Sequence, residues 1–172
     1  MERAVIGLEL CPFAAGVYRS GLVRFRASEA GSTAALHEEL RSELLLLSTA
    51  DAALCETTLL VHPYVLTDFL EYNDFLAVCD AAVAELGLEG ELQVASFHPQ
   101  YRFAGAGSDD VENHTNRSPY PTLHLLRESS IERVLAAMPN PESIYENNMR
   151  RLRELGPAGW RALWSDPAGG DP

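Results

Sequence analysis

Residues 96–127 read SFHPQYRFAG (96–105), then an acidic linker, then NRSPYPTLHLLR (116–127). This stretch joins two strand-like runs through about twenty residues that have neither helical nor strand periodicity, and connections of that length are uncommon inside a domain. Aromatic residues, prolines, histidines and arginines are concentrated in it, which is not the composition of a disordered segment. The sequence therefore predicts an ordered loop that builds a site.

Outward from this loop, strands and helices alternate along the chain. Apolar residues at spacings of two indicate strands, and apolar residues at spacings of three and four indicate helices. A capping box of Ser129 and Glu132 begins one helix after the loop, and Pro141 begins another, which ends at Gly156. The remaining elements are predicted as strand 22–27, helix 32–47, strand 57–62, helix 66–86, and the strands 91–97 and 122–126 on either side of the loop.

The resulting order is β-α-β-α-β, long loop, β-α-α, and helices between strands imply crossovers that place the helices on a sheet. We predict an α/β (α+β) fold, a single-domain sandwich in which helices pack on a mixed sheet of roughly four strands. The order of the strands stays open. Residues 1–157 are predicted to form the globular domain, and residues 158–172, rich in Gly, Pro and Asp, a tail.

Composition excludes several classes of protein. The net charge of −12 is opposite to the basic surface that nucleic-acid binding requires, so no nucleic-acid partner is expected. All thirteen basic residues are arginines, which excludes a lysine Schiff base with pyridoxal phosphate and a P-loop nucleotide site. No apolar run is long enough to cross a membrane and the N-terminus lacks the pattern of a signal peptide, so a cytoplasmic protein is expected.

Several longer motifs together resemble one family. The segments are VIGL (5–8), LCPFA (10–14), TLLVHP (58–63), DFLEYNDFL (68–76), LQVASFHPQYRFAG (92–105) and NRSPYPTLHLLR (116–127). Over roughly residues 3–156 the chain resembles bacterial domain-of-unknown-function family 1415. The resemblance implies no activity, because none is established for that family, so the functional hypotheses rest on residue chemistry.

The histidines at strand ends are the first candidates for a site. If the strands 91–97 and 122–126 pair as antiparallel neighbours, His98 and His124 could meet at one rim of the sheet. They could act as a catalytic acid and base, or bind a divalent metal together with His62. The alternative is that each histidine satisfies loop carbonyls beside a proline.

Cys11 is the second candidate, because it lies at an element boundary before Pro12 and could act as a nucleophile beside a histidine. Three widely spaced cysteines form no CxxC motif, and a lone cysteine among apolar residues is more often buried and inert. Both interpretations stay open.

Arg117 is the candidate anchor for an anion, with Asn116 and Tyr120 beside it as further ligand-binding residues. Alternatively, Arg117 holds the loop closed by pairing with an acidic residue of the linker, namely Asp109, Asp110 or Glu112. Tyr72 and Asn73, near the start of a helix, could also contact a ligand.

Three functions are consistent with these residues. The first is a small enzyme that acts on an anionic small molecule at a His/Arg site in the 96–127 region. The second is a non-catalytic module that binds a metabolite or a metal. The third is a protein–protein adaptor anchored by the aromatic residues Tyr101, Phe103 and Tyr120.

Overall fold

The fold is built on one mixed four-stranded sheet. The computed structural model describes residues 1–138, 140 and 143–163. Its strands are β1 (Val23–Ala27), β2 (Thr57–Val61), β3 (Leu92–Phe97) and β4 (Thr122–Arg127). They lie in the order β1-β2-β4-β3; β1 and β2 are parallel, and β4 is antiparallel to both β2 and β3. The predicted α+β class and the mixed sheet are confirmed.

Within the described residues, five α-helices accompany the sheet. They are α1 (Ala14–Arg19), α2 (Thr33–Thr49), α3 (Phe69–Glu85), α4 (Glu128–Ala136) and α5 (Ser143–Ala162), with a π-helical turn at Glu2–Ile6 and a 3-10 turn at Val111–Thr115. The predicted sequence of strands and helices is confirmed, although α1 has no counterpart in the prediction. Across the described ranges, no helix combines the length and apolarity needed to cross a membrane.

The last helix differs from its prediction. Gly156 has a left-handed φ of 62° and breaks α5 there, as predicted, but the helix resumes and continues to Ala162. The predicted tail therefore begins with helical residues, and Trp160 packs near Met149 and Leu152 of the same helix. Residues 164–172 of the tail, like Pro139 and Pro141, lie outside the described residues.

The main core lies on the face of the sheet that α2 and α3 cover, called here the helical face. Paired residues of neighbouring strands share a face, so Leu60 of β2 and Leu123 of β4, which are register partners, both point towards these helices. The stripe Leu36, Leu40, Leu44 and Leu47 of α2 is fully buried against them. Ser32 caps α2 by accepting from the Ala35 N–H, as its position predicts.

The opposite face of the sheet, called here the N-terminal face, carries the alternate residues of each strand. Residues of the first seventeen positions lie over it, because Val5, Phe13 and Val17 line one cavity with Leu59 and Val61 of β2. α5 fixes this segment in place: Leu10 packs with Met149 and Leu152, and the Asn148 side chain donates to the Leu10 carbonyl at 2.8 Å. The N-terminal segment therefore covers the sheet without adding a strand.

A buried carboxylate joins β1 to α2. Glu43 is 6% exposed and receives two hydrogen bonds from Arg24, at 2.7 Å to Nε and 3.0 Å to Nη2, while Arg26 Nε lies 3.9 Å away. Arg24 and Arg26, two positions apart on the same face of β1, could have bound an external anion, but Glu43 occupies that position. The pair therefore connects two elements of the fold.

We predict that Glu43→Ala lowers the free energy of unfolding by about 1–3 kcal/mol, because it removes a bidentate charged hydrogen bond and leaves the half-buried Arg24 without its acceptor. Urea denaturation measures the change. Glu38→Ala, on the exposed side of the same helix, is the control and should stay within about 0.5 kcal/mol of wild type. Equal stability of the two variants would contradict a stabilising role for Glu43.

Candidate functional site

The sheet separates the histidines that the sequence placed together. β3 and β4 do pair as antiparallel neighbours, with Phe97 opposite Thr122 and Ala95 opposite His124. His124 therefore shares the N-terminal face with Phe97, whereas His98, one residue further along, lies on the helical face. Val61 of β2 lies on the N-terminal face, so the next residue, His62, lies on the helical face with His98. The predicted metal set of His62, His98 and His124 is thus not assembled, and the described residues contain no group of three or more His, Cys, Asp or Glu suited to a metal.

His62 and His98 lie instead on either side of Tyr72, which is fully buried on α3. The ring centroids of His62 and Tyr72 are 5.8 Å apart and those of Tyr72 and His98 are 5.0 Å apart. The Tyr72 hydroxyl donates to the Thr122 carbonyl at 2.8 Å and accepts from the Phe97 N–H at 3.0 Å. Tyr72 therefore joins α3 to the end of β3 and the start of β4, so its predicted role as a ligand residue gives way to a structural one.

Both histidines of this cluster hold the loop between β2 and α3. His62 Nδ1 lies 3.1 Å from the Val65 carbonyl, and His98 Nε2 lies 3.2 Å from the Leu66 carbonyl. A carbonyl only accepts, so each of these nitrogens carries the proton. Leu66 has a left-handed φ of 55°, a conformation that costs a non-glycine residue free energy, and its bond to His98 helps to hold it there.

The N-terminal face carries a different set of candidates. A cavity of about 190 Å³ lies between this face and the N-terminal segment, and we call it the N-terminal cavity. Cys11, Arg117 and His124, three of the predicted site residues, all line it. Its other walls are mostly apolar: Val5, Phe13, Ala14, Val17, Val23, Phe25, Leu59, Val61, Phe97 and Pro119.

Thr57 fixes the protonation of His124. The Thr57 hydroxyl donates its one proton to the Leu125 carbonyl at 2.6 Å, so it must accept from His124 Nε2, 2.8 Å away. Burial lowers the pKa of His124 to about 4, so the ring is neutral near pH 7. Its Nδ1 is then an unprotonated acceptor that makes no hydrogen bond to a described residue.

Arg117 is held by the backbone of its own loop. Its Nε donates to the Tyr101 carbonyl at 3.3 Å and its Nη2 to the Ser108 carbonyl at 2.6 Å. Of the three acidic residues of the linker, Asp110 accepts from the Gly107 N–H and Glu112 pairs with Arg153 at 2.6 Å, whereas Asp109 partly offsets the effect of burial on the pKa of Arg117. Among the residues the structure describes, no carboxylate lies within ion-pair distance of Arg117.

The Cys11 thiol lies where two cavities meet. It lines the N-terminal cavity and also a cleft of about 310 Å³ beside Glu9, Asn147 and Arg151. Burial raises the pKa of the thiol, and backbone N–H groups of Phe13 and Ala14 offset this in part. The thiol form is therefore favoured over the nucleophilic thiolate at neutral pH.

The remaining predicted residues are dispersed. The side-chain amide of Asn116 donates to the Ser96 carbonyl at 3.0 Å, and its backbone carbonyl accepts from the His98 N–H. Asn116 therefore closes the base of the loop. Tyr120 is 56% exposed, and Asn73 lies on the exposed side of α3. Neither of these two lines the N-terminal cavity with Arg117.

Sequence reasoning missed Thr57, the residue that orients His124. Its signal was a polar pair, Thr57 and Thr58, at the start of an otherwise apolar strand, because a buried hydroxyl requires a partner. The apolar walls from the N-terminal segment were also missed, since α1 was not predicted.

Comparison with known proteins identifies a family. The family model described as "Protein of unknown function (DUF1415)" matches residues 1–162 of the chain. No curated protein and no solved structure matches it.

We predict that Tyr72→Phe lowers the free energy of unfolding by about 1–3 kcal/mol, because the Phe97 N–H and the Thr122 carbonyl both lose their partner in a buried environment. Chemical denaturation measures the loss. Tyr64→Phe removes a hydroxyl from a side chain that is 71% exposed and serves as the control. A Tyr72→Phe protein as stable as this control would rule out the proposed connection.

We also predict that the protein loses stability as the pH falls from 7.5 to 5. Burial lowers the pKa of His62, His98 and His124 below the unfolded value of 6.5, so the unfolded chain binds more protons in this range. The stabilisation that these neutral, buried histidines provide is complete above pH 6.5. It is lost as the pH falls towards their pKa values in the folded protein. With a folded pKa of about 4, His124 alone contributes a loss of about 2 kcal/mol at pH 5. Denaturation at several pH values measures the slope, which His124→Gln should reduce; an unchanged slope would contradict the assignment.

Proposed function

The chain belongs to the DUF1415 family, and we propose that it is a cytoplasmic protein whose N-terminal cavity binds a small molecule with an apolar body and one anionic group. The observation that carries this proposal is the combination of apolar walls with Arg117, a half-buried cation that has no carboxylate of a described residue within ion-pair distance and feels Asp109 only from farther away. A buried or half-buried charge without a counter-ion favours an anionic ligand, because the ligand would supply the missing charge.

The position of Arg117 supports an orientation for the ligand. Arg117, Ser118 and Pro119 line the N-terminal cavity and also an outer bowl of about 400 Å³ beside His114 and Trp160. The guanidinium therefore lies at the boundary between the two spaces. Its Nη1 group makes no hydrogen bond to a described residue, so both of its N–H groups can donate to a ligand. An apolar body would enter the cavity while the anionic group stays at this boundary.

The size of the cavity limits the ligand. A volume of about 190 Å³ lies below the roughly 300–1,000 Å³ that is usual for pockets of drug-sized ligands. A carboxylate with a short alkyl chain or a single ring is compatible with this space. Thr57 and His124 add a polar position at the floor, where Nδ1 can accept a hydrogen bond from a ligand hydroxyl or amide.

An enzyme acting on the same anion is the second candidate, and the tautomer of His124 favours it, although the lowered pKa makes this imidazole a weak base. Thr57 holds the imidazole in the tautomer that leaves Nδ1 unprotonated, and an oriented neutral imidazole is the form that a general base requires. Cys11 lines the same cavity but is a protonated thiol, so a nucleophilic role would need His124 to remove its proton. A metal-binding function has less support, because the three predicted histidine ligands lie on two faces of the sheet.

An adaptor function also has less support. Tyr101 and Phe103 pack edge to face with ring centroids 5.0 Å apart, and Phe69 packs on Tyr101 at 5.4 Å. Two of the three aromatic anchors are therefore engaged within the fold, and Tyr120 remains as the exposed one.

The test is the binding of hexanoate, followed by NMR titration, with hexanol as the uncharged comparison. We expect hexanoate to bind more tightly than hexanol, and Arg117→Gln to weaken hexanoate binding at least about tenfold, since one charged hydrogen bond contributes about 1.5–3 kcal/mol. Arg102→Gln changes an exposed arginine of the same loop and should have no effect. Val61→Phe, which fills the cavity, should abolish binding of both compounds.

Two results would contradict the proposal: no binding of hexanoate to the folded wild-type protein, or equal losses for Arg117→Gln and Arg102→Gln. Because Arg117 also holds its loop, circular dichroism and thermal unfolding of each variant must accompany the titration. Conversion of a bound carboxylate into a new species, lost in His124→Gln, would favour the enzyme over the binding module.

A further inference from the structure

A separate cavity of about 510 Å³ lies at the other end of the strands. It is bordered by α1, by the turn at Ala52 and Ala53 that follows α2, and by α4, so we call it the α4 cavity. Most of its walls are apolar: Pro12, Phe13, Val17, Leu22, Ala52, Ala53 and Val134. Its polar groups come chiefly from Glu56, Ser130 and Arg133.

Two of these polar residues are buried. Glu56 is 7% exposed and Ser130 is 2% exposed, and the Ser130 hydroxyl donates a short hydrogen bond to Glu56 Oε1. Glu56 Oε2, in contrast, makes no hydrogen bond or ion pair to any residue that the structure describes. Because Oε2 is not among the enclosed side-chain atoms that lack a partner, it belongs to the small exposed part of this otherwise buried residue, and Glu56 lines the α4 cavity.

Arg133 is a weak counter-ion for this carboxylate. Its Nη2 donates to the Ser130 hydroxyl at 2.9 Å, but it lies 3.6 Å from Glu56 Oε1, beyond hydrogen-bonding distance. The Arg133 side chain is 69% exposed, so water screens its charge. A structural role, in which Glu56 ties the start of β2 to α4, accounts for the bond at Oε1, whereas Oε2 stays accessible to water or to a ligand.

We propose that the α4 cavity binds a small organic cation with an N–H donor, a primary ammonium group on a short apolar body. The ammonium group would donate to Glu56 Oε2 and the apolar body would pack against Phe13, Val17 and Val134. A buried carboxylate gains most from a donor that is itself charged, because such hydrogen bonds are about twice as strong as neutral ones. The apolar walls exclude a fully hydrated inorganic cation and favour an organic one.

Arg133 has a defined part in this site. Its guanidinium lies near the same carboxylate and competes with an incoming cation for it. Removing Arg133 should therefore strengthen binding, whereas removing the charge of Glu56 should weaken it. Opposite effects of two neighbouring substitutions are not expected of a purely structural cluster, in which both would weaken the fold.

The experiment titrates the full chain with benzylammonium, followed by NMR and calorimetry. Benzyl alcohol tests the need for charge, and benzyltrimethylammonium tests the need for an N–H donor. We expect benzylammonium to bind more tightly than either compound, Glu56→Gln to weaken it at least about tenfold, and Arg133→Met to strengthen it about threefold. Glu132→Gln changes a carboxylate on α4 that does not line the cavity and should leave binding unchanged.

Equal binding of benzylammonium and benzyl alcohol would overturn the proposal, as would the absence of binding to both wild type and Arg133→Met. Weaker binding in Arg133→Met would also overturn it. If Glu56→Gln fails to fold, the Arg133→Met variant and the two comparison compounds still decide the question. Phe13 and Val17 line both cavities, but Glu56 and Arg133 line only the α4 cavity, so the effects of substituting these two residues separate benzylammonium binding from hexanoate binding.

Discussion

The central position of β4 is the constraint on which the rest of the structure depends. β4 lies between β2 and β3 and is buried on both faces along almost its whole length. Leu123 and Leu125 belong to the core under α2 and α3, while Thr122 and His124 line the cavity on the other face. A register shift of one residue would bury the imidazole among leucines and expose the leucines to the cavity. Packing on both sides therefore fixes one register.

The class of fold and the sequence of its main elements follow from the spacing of apolar residues, and these were predictable. Which histidine side chains lie together was not predictable, because this depends on the face of the sheet that each one occupies. His124 lies on β4 and His98 directly follows β3, and these strands pair as the hypothesis required, yet one position of offset puts the two histidines on opposite faces. Strand position is a local property of the sequence, whereas the register between two strands is set by contacts across the whole sheet.

The hydrogen-bond and ion-pair partners of the charged residues could not be predicted from local sequence patterns either. No local signal shows that Arg117 bonds to the carbonyls of Tyr101 and Ser108, since every residue offers the same backbone carbonyl group. Arg24 meets a carboxylate nineteen residues away on α2. What the sequence could indicate was the residue types of the candidate site, and Cys11, Arg117 and His124 do line one cavity. What it could not indicate was the short helix α1 that closes both cavities.

The order of the strands along the chain has a consequence for how the protein forms during synthesis. β4 is the last strand to leave the ribosome, but it is the one that joins the β1–β2 pair to β3. Until residue 127 has emerged, β3 has no hydrogen-bonding partner, and one edge of β2 stays open to the solvent. Helices α2 and α3 precede β4 and cover the nascent strands on one face only. The cooperative unit is therefore completed late, and incomplete chains expose strand edges that invite association.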